Sequence, residues 1–311
     1  MVWEVLGAVI GAGFASGREL AAFFARFGGW SWLGVGAAAL LAGTELARVL
    51  ALGPEAFRRR SWRVVFLLLA MAAGGAMTAA AGELAALCLP ICPARWLGMG
   101  LMLALGLAGA RRQSPMLRRV SRVLTAALLV MLAACLTLPV QRAARVEPLQ
   151  APGLTAAQAL LHGVCYGGLN LALAAPMAAE AGPTLSPRMR RRAAMALGVM
   201  LGGLVGLGNL LLLRQPLLLH AALPLVQLTA AFGKVGFYGC CAVMLLAVLT
   251  TLIAALRDLD ALLPPRWRAL GPAAAAAVAL LGFEGIVARV YPALGGLCAV
   301  MLLAPQKKKR P

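Results

Sequence analysis

The sequence predicts an all-α polytopic membrane protein with about ten transmembrane helices, and three observations lead to that prediction. First, 62% of the 311 residues are hydrophobic and only 13% are charged, whereas soluble domains are about 45–50% apolar and about 25% charged. Second, apolar stretches of about 20 residues, long enough to cross a bilayer as helices, recur along the chain. Third, basic residues cluster in the short connections between those stretches.

Ten apolar segments are predicted to span the bilayer, all within a single transmembrane domain over residues 1–311. They are residues 2–27, 30–52, 64–89, 94–110, 120–139, 156–179, 193–213, 235–256, 267–283 and 286–303. The fourth and ninth are the shortest. Their apolar runs are continuous, unlike membrane β-strands, in which polar and apolar residues alternate.

The distribution of the basic residues predicts the orientation of the chain. Most of the 29 Lys and Arg residues follow even-numbered segments or lie in the C-terminal tail, and such residues accumulate on the cytoplasmic side of a membrane. We therefore predict a bacterial plasma-membrane protein with both termini in the cytoplasm. Although the net charge is +19, the basic clusters lack interleaved aromatic residues and a soluble fold, which argues against a nucleic-acid partner. The predicted partners are the lipid bilayer and a small solute, and the sequence leaves the oligomeric state open.

The first segment contains a glycine-rich motif that predicts a broken helix. Three of its glycines, Gly11, Gly13 and Gly17, fall within seven residues and directly precede Arg18 and Glu19. Each glycine costs a helix interior about 1 kcal/mol relative to alanine. Broken backbone at membrane depth is tolerated only where protein or a water-filled cavity surrounds it.

The sixth segment carries a second set of helix-breaking residues, which are Gly167, Gly168, Asn170 and Pro176. Each predicted break lies in the first helix of a five-helix half, and paired interrupted helices are typical of transporters with inverted repeats. We therefore predict a first repeat over residues 1–139 and a second over residues 155–304. Half-helix N-termini suit an anionic group, and unwound carbonyls suit Na⁺ or an ammonium.

Enzymatic and metal chemistry find little support in the sequence. The chain has only two His, and no Ser–His–acid or paired-carboxylate pattern is visible, so we do not expect an enzyme. Most of the seven Cys lie inside apolar runs, where they are expected to pack as small apolar side chains. Cys88 and Cys92 leave a disulfide or metal pair open, but we predict no cofactor beyond Na⁺ or H⁺ as a candidate coupling ion.

Three motifs resemble the YkvI family of bacterial membrane proteins. They are GAGFASGRE at residues 11–19, YGGLNLALAAP at residues 166–176, and the pair Thr250 and Thr251 in the eighth segment. That family is similar to a branch of the amino acid–polyamine–organocation (APC) superfamily, whose members have the LeuT-type fold. The resemblance implies a symporter-like carrier of an amino acid or a related small amine.

The resemblance also implies a substrate site at the two breaks, where the amides of Ala12 and Gly13 would bind a carboxylate. The residues of that site would be Gly11, Ala12, Gly13, Phe14, Tyr166, Gly167, Gly168 and Asn170. It further implies a sodium site made by the carbonyls of Gly7 and Ile10 and the hydroxyls of Thr250 and Thr251. For the two threonines, the alternative is a hydrogen bond to a carbonyl one turn back in the same helix.

Three further charged residues are candidates because charges inside a membrane are costly. Glu83 is expected to face the helix bundle, either as a partner of a substrate ammonium or proton or in a packing ion pair. Arg18 and Glu19 are expected to form an outer gate or a local ion pair. The predicted function is secondary transport of a small amino-acid-like or amine solute, by alternating access around the two breaks. The alternatives are a non-transporting sensor or assembly protein with a carrier fold, and a channel.

Overall fold

The structure, a computed structural model, describes residues 12–89, 91–111, 116–138 and 154–304. Helix dominates these residues, and none of them forms a strand. The first segment contributes α1 (Ala12–Ser16) and α2 (Arg18–Phe23). The rest of the predicted first half contributes α3 (Ser31–Leu52), α4 (Arg60–Cys88), α5 (Ala94–Arg111) and α6 (Met116–Cys135).

The second half has a similar sequence of helices. They are α7 (Ala156–Ala181), α8 (Pro187–Leu213), α9 (Gly233–Leu262), α10 (Leu270–Ala279) and α11 (Phe283–Leu303), the last with a π-helical turn at Ile286–Val290. Between α8 and α9 the chain makes short helical turns at Pro216–Leu218, Pro224–Leu228 and Thr229–Phe232. In the described part of the chain, each of the ten predicted segments therefore overlaps a helix or a pair of helices.

Within the described residues, six helical segments are long and apolar enough to cross a membrane. They are Ala25–Leu52, Arg60–Cys88, Ala156–Thr184, Pro187–Leu213, Pro224–Leu262 and Phe283–Leu303. Leu270–Ala279 is apolar but shorter, with a length of about 15 Å at 1.5 Å per residue. By length and composition, the chain is a polytopic helical membrane protein.

The helices pack as two groups. One group contains α2, α3, α7 and α8, in which α3 lies between α7 and α8. The other contains α4, α5, α9 and α10, in which α4 contacts each of the other three. The helix α11 packs against α7, and α6 contacts α9.

The first segment is broken at Gly17, which is one of the three glycines that predicted a break. The helix α1 ends at Ser16, and Gly17 adopts φ 77° and ψ −7°, a left-handed conformation that favours glycine. The second helix ends at Phe24, whose φ of −130° and ψ of −69° are also non-helical. Gly13 lies inside α1, so among the described residues the break falls at Gly17.

The sixth segment is not broken, which corrects the prediction. The helix α7 continues from Ala156 through Tyr166–Asn170 to Ala181, with Pro176 inside it. Its glycines serve helix packing instead. A side-chain carbon at Gly167 would lie 3.0 Å from the carbonyl oxygen of Ala38 in α3, and one at Gly168 would lie 2.7 Å from the carbonyl oxygen of Gly295 in α11. Small residues at such places let two helix backbones approach closely.

Candidate functional site

A cavity of about 970 Å³ lies where the two helix groups meet. The helices α4 and α9 line it from one group and α7 from the other, together with the turn Pro54–Arg58. Its volume is within the range of small-molecule sites, about 300–1,000 Å³. We call it the inter-group cavity.

One end of the inter-group cavity is charged and the rest is lined largely by small or apolar residues. Its charged residues are Arg58, Arg63, Glu180, Arg257 and Asp258. They lie at the connection between α3 and α4 and near the ends of α7 and α9, where the basic clusters of the sequence begin. Side chains of both signs of charge therefore line this end, where Arg58 pairs with Glu55 and Arg257 donates to the carbonyl oxygens of Gly109 and Ala110.

Thr250 and Thr251 are the predicted site residues that line this cavity. Their hydroxyl groups donate to the carbonyl oxygen of Ala247, over 3.0 Å and 2.9 Å respectively. This is the back-bonded arrangement that was the alternative to ion binding. Gly7 and Ile10, which would supply the carbonyls of the predicted sodium site, lie outside the described residues, as does Gly11. The sodium site therefore stays a prediction.

Arg18 joins three segments at the other end of α9. Its guanidinium donates to the carbonyl oxygens of Leu219, over 2.8 Å, and Ala221, over 3.3 Å. It also forms an ion pair with Glu284 at the start of α11. The guanidinium thus faces the connection between α8 and α9 and the start of α11 instead of Glu19, so the local pair, one of the two alternatives for these residues, is not formed, and the outer gate stays a prediction.

Glu19 turns inward from the same helix. Its exposure is only 7%, and its carboxyl group occupies the space that a side chain at Gly13 would need. No hydrogen bond or ion pair reaches this carboxyl within the described ranges. The phenol groups of Tyr166 and Tyr291 lie near this carboxyl group.

Tyr166 and Asn170 lie away from the inter-group cavity. The ring of Tyr166 packs edge-on against Phe23 and Phe24, with centroid distances of 5.3 Å and 4.9 Å. The side-chain amide of Asn170 donates to the carbonyl oxygen of Tyr166 over 2.9 Å, so its hydrogen bond is made within its own helix. Phe14 is buried in the core, and Ala12 begins α1. The predicted substrate residues of the two helices thus do not share a pocket in the part of the chain that the structure describes.

Glu83 forms a packing ion pair. Its carboxylate lies 2.6 Å from the guanidinium of Arg95, which joins α4 to α5. This is one of the two alternatives predicted for Glu83. Among the described residues, no group of three or more His, Cys, Asp or Glu side chains is placed to hold a metal ion.

Sequence reasoning missed Glu284 and most of the cavity wall. Glu284 had a usable signal, since it is the acidic residue between the ninth and tenth predicted segments, on the side with few basic residues. The cavity wall had none, because Ala70, Ala73 and Ala254 resemble any other small residue of a membrane helix. No protein-family model and no curated protein matches this chain, so the resemblance to the YkvI family stays a prediction.

Proposed function

We propose that the protein is a secondary active transporter of a small amino-acid-like or amine solute. The observation that carries the proposal is the inter-group cavity, which lies between two sets of helices and has charged residues at one end only. Charges of both signs suit a zwitterionic solute, and the apolar wall beyond them suits a side chain. The predicted orientation places the charged end toward the cytoplasm.

The helix contacts support a five-plus-five inverted repeat with ten spans. In such a repeat each helix has an equivalent five spans later, so that α3 corresponds to α8 and α7 corresponds to α2. The contact between α3 and α7 then corresponds to a contact between α8 and α2, and both contacts occur. In the same way the contact between α4 and α10 corresponds to that between α9 and α5, and both again occur. Repeats of this kind permit one helix group to rock against the other around a central site, as in LeuT-type carriers.

The contacts of Arg18 with Glu284, Leu219 and Ala221 supply the second part of an alternating-access cycle. While the cavity is reached from its charged end, Arg18 ties α2 to Glu284 and to the connection between α8 and α9. In this proposal the structure is the inward-facing state, and release of Arg18 opens the opposite side. The break at Gly17 lets α2 move separately from α1.

Uptake into proteoliposomes tests the proposal. Vesicles that contain the protein are incubated with an equimolar mixture of the standard amino acids and small primary amines, and the lumen contents are measured by mass spectrometry. We expect accumulation of at least one solute. Ala254→Trp, which places an indole in the cavity, should abolish it.

The matched control is Ala242→Trp on the same helix, because Ala242 is also exposed but does not line the cavity. It should transport like the wild type. Binding in a thermal-shift screen without flux would overturn the proposal and favour the sensor, and unitary currents in planar bilayers would favour a channel. Equal loss in both tryptophan variants would also contradict the role of the cavity.

A further inference from the structure

We infer that Glu19 is a proton-carrying residue, so that the coupling ion of the proposed transport is H⁺. The inference rests on the proposed function, and it assigns a chemical role to a side chain that lies outside the inter-group cavity. Its starting observation is a buried carboxyl group that pairs with no cation in the described part of the chain, on a short helix that also holds the contact of Arg18 with Glu284.

The described residues around Glu19 supply no compensating charge. The titratable groups of the packed elements that lie near Glu19 are Tyr166 from α7 and Tyr291 from α11, whereas Glu284 and Arg289 of α11 are exposed. The cations nearest in sequence face elsewhere: Arg18 contacts Glu284, and Arg26 lies 2.9 Å from the ring nitrogen of His162. Two further elements contact this region through uncharged residues. Leu225 in the turn Pro224–Leu228 lies beside Gly17, and Gly208 of α8 lies beside Leu20.

An isolated carboxylate in such a place would be very costly. Moving an ionised carboxylate from water into an apolar site without a partner costs far more than a hydrogen bond can return, and the group becomes neutral instead. Glu19 therefore holds a proton in this conformation. A proton is also the cation that the site accommodates, since the carboxyl group already fills the space beside Gly13.

A second buried group indicates that the site has another arrangement. The hydroxyl of Tyr166 is fully buried and has no hydrogen-bond partner among the residues that the structure describes. Buried polar groups are rarely left in this state, because each unmade hydrogen bond costs about 1–3 kcal/mol. A shift of α2 that brings the carboxyl group of Glu19 to this hydroxyl would satisfy both.

The backbone around Glu19 permits such a shift. The helix α2 spans Arg18–Phe23 and has non-helical dihedrals at both ends, at Gly17 and Phe24. Because Arg18 and Glu19 are adjacent on α2, release of Arg18 from Glu284 moves Glu19 as well. In the cycle we infer, water on the Arg18 side donates the proton and water on the cavity side accepts it. The O–H bond that forms on the carboxyl group replaces one that breaks in a hydronium ion on the Arg18 side, and when the carboxyl O–H bond breaks, the proton forms hydronium with water on the cavity side.

Infrared spectroscopy of the purified protein tests the protonation without a solute. At neutral pH we expect a C=O stretching band of a protonated carboxyl group that disappears in Glu19→Gln. Glu45→Gln is the matched control, because Glu45 is equally buried, at 5% exposure, but accepts hydrogen bonds from Arg48 over 3.0 Å and 2.8 Å. Its removal should leave the band unchanged. If the wild type lacks the band, or Glu19→Gln keeps it, the inference is wrong.

Proteoliposomes that contain a pH-sensitive dye test the coupling. Addition of the amino-acid mixture should acidify the lumen with the wild type, and this signal should fall to the level of protein-free vesicles in Glu19→Gln. The variant should still exchange internal for external solute, since glutamine imitates the neutral carboxyl group. Glu19→Asp, which keeps a titratable group, should restore part of the acidification.

These experiments distinguish a failure of this inference from a failure of the proposed function. Solute uptake by the wild type without acidification, or with the same pH profile in Glu19→Gln, overturns proton coupling and leaves transport intact. The absence of any uptake or exchange overturns the proposed function and, with it, the coupling role. Loss of exchange together with acidification in Glu19→Gln, with normal thermal stability, would show that Glu19 binds solute and would also overturn the inference.

Discussion

The first and sixth helical segments have similar glycine-rich motifs but different structures. Gly17 takes a left-handed conformation and separates α1 from α2, whereas α7 passes through Gly167 and Gly168 without interruption. The difference lies in the neighbours: the glycines of α7 face the backbones of α3 and α11. Glycine in a membrane helix therefore has two uses, to free the backbone or to let another backbone approach, and the motif alone does not distinguish them.

The largest expected effect tests whether the glycines of α7 let the backbones of other helices approach closely. In Gly163→Leu, the first side-chain carbon would overlap the backbone of Gly34 in α3. Overpacking of a tight contact costs about 1–3 kcal/mol and occasionally more, and a backbone cannot rotate away as a side chain can. We expect little folded protein in detergent, measured by size-exclusion chromatography and thermal unfolding.

The control for this variant is Gly203→Leu in α8, where a side chain would meet nothing within 4 Å. It should remain as stable as the wild type or become slightly more stable, because leucine is the better helix former. If both variants unfold alike, the close approach of α7 and α3 does not carry the stability that we assign to it.

A smaller effect tests whether the first segment needs glycine at position 17 for its left-handed backbone conformation. Alanine at position 17 would have to keep φ near 77°, and a left-handed conformation costs an L-residue about 1–2 kcal/mol. Its side chain would also lie 2.6 Å from the Cγ atom of Leu225. Gly17→Ala should therefore lower the thermal unfolding temperature, although leucine can move enough to relieve part of the contact.

Gly29→Ala is the matched change, because Gly29 has open space around it and no positive φ. It should leave the unfolding temperature almost unchanged. An increase in stability for Gly17→Ala would mean that α1 and α2 form one continuous helix in solution. In that case the hinge on which the Glu19 inference depends would be absent.

The positions of the helices were predictable because apolar length and loop charge are local properties. The second predicted segment, at residues 30–52, matches α3 (Ser31–Leu52), and the fourth, at residues 94–110, matches α5 (Ala94–Arg111). The break in the first segment was also predictable, because glycines and a charged pair coincide there. Which of the three glycines takes the left-handed conformation was not predictable, because the sequence does not show the tertiary contacts of Gly17, such as its approach to Leu225.

The contacts of the site were much less predictable. Arg18 pairs with Glu284, which is far along the chain, and no local pattern selects that partner over the adjacent Glu19. The continuous path of α7 depends on where α3 and α11 present small residues, such as Gly34 and Gly295. Such choices follow from tertiary packing, which a motif read along one chain does not contain.

The smallest expected effect concerns the ion site that the resemblance assigns to the first and eighth segments. Thr251→Val removes a hydroxyl whose only described hydrogen bond is to Ala247 in its own helix, over 2.9 Å. A hydrogen bond of this kind contributes about 0.5–1.5 kcal/mol at most, and valine keeps the shape of the side chain. We expect nearly unchanged thermal stability in both NaCl and choline chloride, because our inference assigns the coupling to a proton on Glu19. A stabilisation of the wild type by Na⁺ that choline does not reproduce, and that Thr251→Val abolishes, would contradict that expectation. It would place the coupling ion beside α9 and leave Glu19 as a buried structural acid.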